Sequence, residues 1–134
     1  MRSVKFLVFI AFIVTLAATS VRAHHSFSAE FDRNKPFKMT GTVTKVLWQN
    51  PHTFFYIDVK DEKTGKVANW GMEMGSPNGL MRQGWSRTSL KVGDQVSIEG
   101  SQAKDGAKVA NARSVVLAGG QKLFAASSQG NQSH

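Results

Sequence analysis

The fold is constrained most by a series of short segments rich in β-branched and aromatic residues, separated by glycine, proline and polar turn signals. We predict strands over 37–48, 52–59, 66–74, 95–102, 109–117 and 122–124. Ser76 followed by Pro77 predicts a helix start, and Gly84 predicts the helix end. A short helix over 77–83 therefore separates the third and fourth strands.

This order of elements is that of the five-stranded OB barrel. We therefore expect an all-β fold, a small OB-like barrel of five to six strands with one short helix between strands three and four. The apolar parity of the first strand switches near Lys45, which predicts a bulge. An open β-sandwich with a surface helix would produce the same order of elements and is the alternative.

Residues 1–23 have the composition of a cleavable secretion signal. Arg2 and Lys5 precede an apolar run over 6–18, and Val21 and Ala23 supply the small residues of a cleavage site, with Arg22 as the one departure from the pattern. The run is shorter than the roughly 20 residues that a membrane-spanning helix needs. We predict cleavage after Ala23, which would make His24 the first residue of a mature protein located in the periplasm.

The remaining 111 residues are enough for one domain. We divide them into an extended N-terminal arm over 24–36, with Phe27 and Phe31 as candidates for packing, a barrel over 37–126 and a disordered polar tail over 127–134. The chain has no cysteine, which excludes disulfides and suits a bacterial periplasm.

The charge of the chain is moderately basic. Residues 1–23 hold three of the 17 basic residues and none of the nine acidic ones, so residues 24–134 carry a formal net charge of +5. The lysines are dispersed along the chain, which favours a solvated surface over a nucleic-acid site. We expect a monomer that binds neither nucleic acid nor, after signal cleavage, a membrane.

The histidines are the strongest candidates for chemistry. An N-terminal His24 would offer its α-amine and its ring Nδ1 to one metal ion, and His52 could add a third nitrogen. Nitrogen ligands of this kind bind Cu(II) most tightly among the first-row divalent ions. A rival arrangement uses the amine with the backbone amide and ring of His25. Copper is therefore the expected cofactor.

Pairing of the second and third strands would bring further candidate ligands to His52. If Val59 pairs near Val67, His52 lies opposite the Glu73 to Met74 end of the third strand, and a slip of one residue changes only which of these it faces. Carboxylate and thioether groups would then join the imidazole. The plainer interpretation is that the methionine fills the core and that His52 is a hydrogen-bonded loop residue.

A second interpretation is a binding face for a carbohydrate, peptide or protein partner. Phe54 and Tyr56 share a parity with His52, and Trp48 is near in sequence. OB domains use the surface of these strands to bind ligands, and aromatic rings stack on sugars. The alternative is that these rings fill the core.

Catalytic motifs are not found in the sequence. There is no glycine-rich phosphate loop, no G-x-S-x-G and no H-E-x-x-H. Glu30 and Asp32 occupy alternate positions of the arm, which is typical of a solvated edge. We expect no catalytic residues and a protein that is not an enzyme.

Several short motifs together resemble a family of small exported bacterial proteins of unknown function. They are His24-His25-Ser26-Phe27, Trp48-x-Asn50-Pro51-His52, Gly75-Ser76-Pro77-Asn78 and Asn111-Ala112-Arg113-Ser114. The resemblance spans most of the chain after the predicted signal. It implies a secreted, single-domain, barrel-shaped protein and supplies no reaction or ligand.

Overall fold

The computed structural model describes residues 30–126. The predicted tail over 127–134, the signal over 1–23 and the first residues of the arm lie outside this range. The elements within it are, in chain order, β1 (Phe31–Leu47), β2 (Phe54–Lys60), β3 (Val67–Glu73), α1 (Pro77–Arg82), β4 (Gln95–Ala103), β5 (Val109–Val116) and β6 (Lys122–Phe124).

The six strands form one sheet that closes into a ring. Neighbouring strands follow the order β3-β2-β1-β4-β5-β6, and every pair in this order is antiparallel. A parallel pairing of β3 with β5, from Gly71 with Val109 to Glu73 with Asn111, closes the ring. This confirms the predicted small all-β barrel with one short helix between the third and fourth strands, and it excludes the open sandwich.

Strand β1 is long enough to serve both sides of the barrel. Its first part pairs with β4 and its second part with β2, and the register with β2 shifts between Val43 and Lys45. This is the predicted bulge. Such a shift bends a strand and strengthens its twist, so that one strand can continue around the corner of a barrel.

The structure differs from the sequence prediction at the start of β1. The strand begins at Phe31, six residues before the predicted start at 37, and it includes Pro36. Residues 33–36 are all exposed, so they show no alternation that would indicate a strand. The register with β4 shifts between Phe31 and Pro36, and such irregular positions are where a strand tolerates proline.

The barrel interior is filled by side chains from all of its walls. Its largest fully buried members include Phe55, Ile57, Met72, Leu80 and Ile98. Burying a large aliphatic or aromatic side chain contributes roughly 1.5–3 kcal/mol, so this core is the main source of stability in a chain without disulfides.

Helix α1 is capped at its start and packs against the core. The Ser76 hydroxyl accepts a hydrogen bond from the Gly79 N–H at 3.2 Å, which caps the helix start as predicted. The helix ends at Arg82, one residue before the predicted end, and Gly84 follows with φ of +96°. Leu80 enters the core, and Trp85 Nε1 donates to the Phe124 carbonyl at 2.8 Å.

Gly100 lies in β4, with the backbone of β5 directly against it. The register between β4 and β5 shifts beside Gly100, and a Cβ at this position would lie 1.9 Å from the Asn111 carbonyl oxygen.

We expect Gly100→Ala to lower the free energy of unfolding by roughly 2 kcal/mol or more, because the backbone must move to make room for the methyl group. Gly119→Ala is the matched control, since a Cβ there meets nothing within 4 Å. Urea unfolding of both variants measures the difference, and equal midpoints would contradict the expectation.

The turn between β2 and β3 is stabilised by the Asp61 carboxylate. Its Oδ1 accepts the Thr64 N–H at 3.0 Å and the Lys63 N–H at 2.8 Å, and these bonds hold the pKa of Asp61 below its usual 3.8. The folded protein therefore favours the ionised form. Its contribution to stability is complete above the pKa of the unfolded chain and is lost as pH falls through the lower pKa of the folded state.

We therefore expect Asp61→Asn to flatten the dependence of stability on pH below about pH 4, because the amide still accepts both bonds but does not titrate in this range. The measurement is the unfolding midpoint between about pH 2 and pH 5. Glu62→Gln removes the same charge at the next residue and controls for net charge. A slope for Asp61→Asn equal to that of the parent would refute this role.

Candidate functional site

His52 lies just before β2, where the β2–β3 ladder continues past the ends of both strands. The Thr53 N–H donates to the Gly75 carbonyl at 3.0 Å, and the Met74 N–H donates to the Thr53 carbonyl at 2.8 Å. Phe54 pairs with Glu73 in the ladder proper. These backbone contacts bring His52 alongside Glu73.

The two side chains meet directly. His52 Nδ1 is in hydrogen-bond contact with Glu73 Oε1. The His52 side chain is 40% exposed, whereas the Glu73 side chain is 11% exposed. The pair therefore combines a buried carboxylate with an imidazole that reaches the surface, as the predicted neighbourhood of His52 and Glu73 requires.

The register that produces this contact differs by one residue from the predicted one. Val59 pairs with Ala68 instead of Val67. The Asp61 N–H donates to the Lys66 carbonyl at 2.8 Å, so four residues, 62–65, form the loop of the hairpin. Gly65 permits this loop because it takes φ of +70°.

Opposing effects act on the protonation of the Glu73 carboxyl group. Burial raises the pKa of Glu73 above its usual 4.5, and the negative charge of Glu30 raises it further. The attraction of His52 and its hydrogen bond oppose both effects. Glu73 thus depends on His52 for the stabilisation of its charge.

A cleft of about 450 Å³ opens beside Glu73, and His52 reaches it through its contact with Glu73 without lining it. Its walls combine apolar side chains with charged ones, namely Glu30, Phe31, Phe54, Glu73, Ala103, Lys104, Asp105, Ala107 and Val109. The lining therefore holds three carboxyl groups and one ammonium group. In a chain whose formal net charge is +8, this is a local concentration of acidic residues.

The chain enters the described region at this cleft. Lys104 donates its backbone N–H to the Glu30 carbonyl at 2.9 Å, and Phe31 pairs with Ala103. These bonds fix the first described residue against the end of β4. The predicted ligands His24 and His25 precede it and lie outside the described residues.

Met74 belongs to the buried core. Met72 and Met74 are both fully buried in the hydrophobic core. Thr53 and Phe55, their neighbours across the ladder, are fully buried too. Within residues 30–126, no group of three or more histidine, aspartate or glutamate residues is arranged to hold a metal ion.

The three predicted aromatic ligand residues have different environments. Phe54 lines the cleft. Tyr56 lies outside the barrel, with the Lys45 ammonium 5.8 Å from its ring centre. Trp48 packs against the core. Of the three, the structure brings only Phe54 to the cleft.

Sequence reasoning missed the far wall of the cleft. Asp105 precedes a glycine in a pattern typical of a hairpin turn and was not among the candidate site residues, and Glu30 was predicted to belong to a solvated edge. Val109, which belongs to the same wall, carries no chemical signal of its own. Their placement beside Glu73 follows from the β3–β5 pairing, which no local pattern indicates.

Residues 12–112 match a family of unknown function, DUF6152. The chain belongs to this family. The match confirms the resemblance to an uncharacterised family and covers both His52 and Glu73. No curated protein matches the chain. Within residues 30–126, no helix has the length and apolar character needed to cross a membrane.

We expect the His52–Glu73 contact to appear as a strong coupling in a double-mutant cycle. His52→Ala should cost about 1–3 kcal/mol of unfolding free energy at neutral pH, because it leaves a buried carboxylate without its partner. In a Glu73→Leu background the same change should cost little. Urea unfolding of the four proteins measures the coupling. An equal cost of His52→Ala in both backgrounds would show that the contact stabilises nothing.

Proposed function

We propose that this protein is an exported copper-binding protein of the bacterial periplasm. The ligands are the α-amine and ring Nδ1 of His24, exposed by cleavage after Ala23, and Nε2 of His52. Glu73 positions His52 without binding the ion. The cleft beside the His52–Glu73 pair is the place where the mature N-terminus meets the barrel.

The observation that carries the proposal is the contact of Glu73 with His52 Nδ1. Metal-binding histidines almost always give their second ring nitrogen to a carboxylate, a carbonyl or water, which fixes the tautomer and orients the ring. Glu73 supplies this partner here. The contact presents Nε2 as the ligand, and the 40% exposure of the His52 side chain leaves the ring accessible.

The start of the described chain supports the participation of His24. Only six residue steps separate His24 from Glu30, which lines the same cleft as Glu73. Six residues span at most about 20 Å. An arm over 24–36, as predicted from the sequence, would leave the position of His24 undetermined. In the structure β1 already begins at Phe31, which lines the cleft, so the arm is shorter and its end is fixed there.

The charge and the ligand types at the cleft favour a cation bound by nitrogen. Glu30, Glu73 and Asp105 create a negative field that attracts a cation. Amine and imidazole nitrogens select Cu(II) among the available divalent ions. Met74 has no part in the proposed set, because its burial in the core favours a packing role.

The proposal predicts which changes weaken Cu(II) binding. In protein exported and processed to His24, as verified by intact mass, Glu73→Gln should weaken Cu(II) affinity about 10- to 100-fold because the imidazole loses its orienting charge. His52→Ala should weaken it at least as much. One extra residue before His24 should have a similar effect, since the amine and ring can then no longer chelate together. Competitive titration with a copper chelator measures all three.

The matched control is His134→Ala, which removes a histidine from the tail and should leave the affinity unchanged. If His52→Ala is silent while His25→Ala weakens binding, the rival set of amine, His25 amide and His25 ring is correct. If neither His52→Ala nor the extra N-terminal residue changes the affinity, the proposed site is wrong.

A further inference from the structure

The cleft beside the His52–Glu73 pair exposes apolar surface that a stable protein tends to cover. Phe54 and Val109 are half-buried on its walls, and Ala107 is exposed at its rim. We propose that residues 24–29 of the same chain fold back into this cleft, with the Phe27 ring seated against Phe54 and Val109. The part of this inference that places His24 beside His52 rests on the proposed function. The part that seats Phe27 in the cleft is independent of it.

The path of the backbone favours this occupant. The Lys104 N–H donates to the Glu30 carbonyl at 2.9 Å, and Glu30 lines the cleft, so this bond fixes the chain at the edge of the cleft. Phe27 precedes Glu30 by three residues, a distance of at most about 10 Å. A segment tethered this closely has a high effective concentration at the cleft compared with a free ligand.

The size of the cleft suits an aromatic side chain with its neighbours. An apolar cavity of about 150 Å³ holds a benzene molecule. The cleft measures about 450 Å³. It has room for the Phe27 ring and for part of the adjoining backbone, and an aromatic ring gains more from burial than the small residues around it in the segment.

The charges of the segment and of the cleft are complementary. Residues 24–29 contain two histidines and no acidic residue, and cleavage after Ala23 would add a positive α-amine. Glu30, Glu73 and Asp105 face them from the lining, and Lys104 is the basic member of that lining. Seating Phe27 would therefore draw the amine toward carboxylates and toward His52, where the copper ligands must converge.

The test uses the processed, metal-free protein, so that it does not depend on copper. We expect nuclear Overhauser contacts between the Phe27 ring protons and the Val109 methyl groups. Phe27→Ala should abolish them and lower the melting temperature by about 4 °C or more, because an aromatic contact is lost. Phe27→Leu should keep most of the stability. Ser28→Ala, the matched change in the same segment, should have no effect.

Two results would overturn the inference. One is the absence of Phe27–Val109 contacts, whether or not Phe27→Ala and Ser28→Ala have equal melting temperatures. The other is contacts that appear only between differently labelled chains in a mixed sample, which would assign the cleft to a second copy.

The same variants separate this inference from the proposed function. Phe27–Val109 contacts combined with unchanged Cu(II) affinity in His52→Ala would support the docking and reject the copper site. Loss of Cu(II) affinity in His52→Ala without Phe27–Val109 contacts would reject the docking alone. Where both hold, Phe27→Ala should also weaken Cu(II) binding, because His24 is then no longer kept near His52.

Discussion

The structure depends on the parallel pairing of β3 with β5. This contact, from Gly71 with Val109 to Glu73 with Asn111, turns a sheet with two open edges into a ring. A closed sheet leaves fewer unpaired backbone groups, which matters in a domain that has no disulfide to support it. The same pairing brings the hairpin after β4 against the end of β3, and the cleft exists because these two parts meet.

The site follows from this closure through the burial of one carboxylate. Glu73 ends β3 beside β5 and is 8% exposed. A buried charge is costly unless it is paired. His52 supplies the pairing from the segment just before β2, with Nδ1 turned inward toward the carboxylate. A contact that compensates for burial thereby also orients an imidazole at the surface.

Much of the fold was accessible from local sequence patterns, and the exceptions have physical causes. The Ser76 cap, the bulge near Lys45 and the β2–β3 hairpin all produce local signals, and each was found. The early start of β1 escaped because residues 33–36 are exposed on both faces. The one-residue register error arose because the length of the hairpin loop depends on hydrogen bonds made by Asp61, which composition does not reveal.

For this protein the sequence by itself determined the element order, the helix between β3 and β4 and the proximity of His52 to Glu73, because turns, caps and hairpin pairings involve residues close in the chain. Only the tertiary structure decided that the ring closes through β3 and β5, that Glu30 and Asp105 face Glu73 and that Met74 is buried. These contacts join residues remote in sequence, and they follow from how the whole sheet twists and closes.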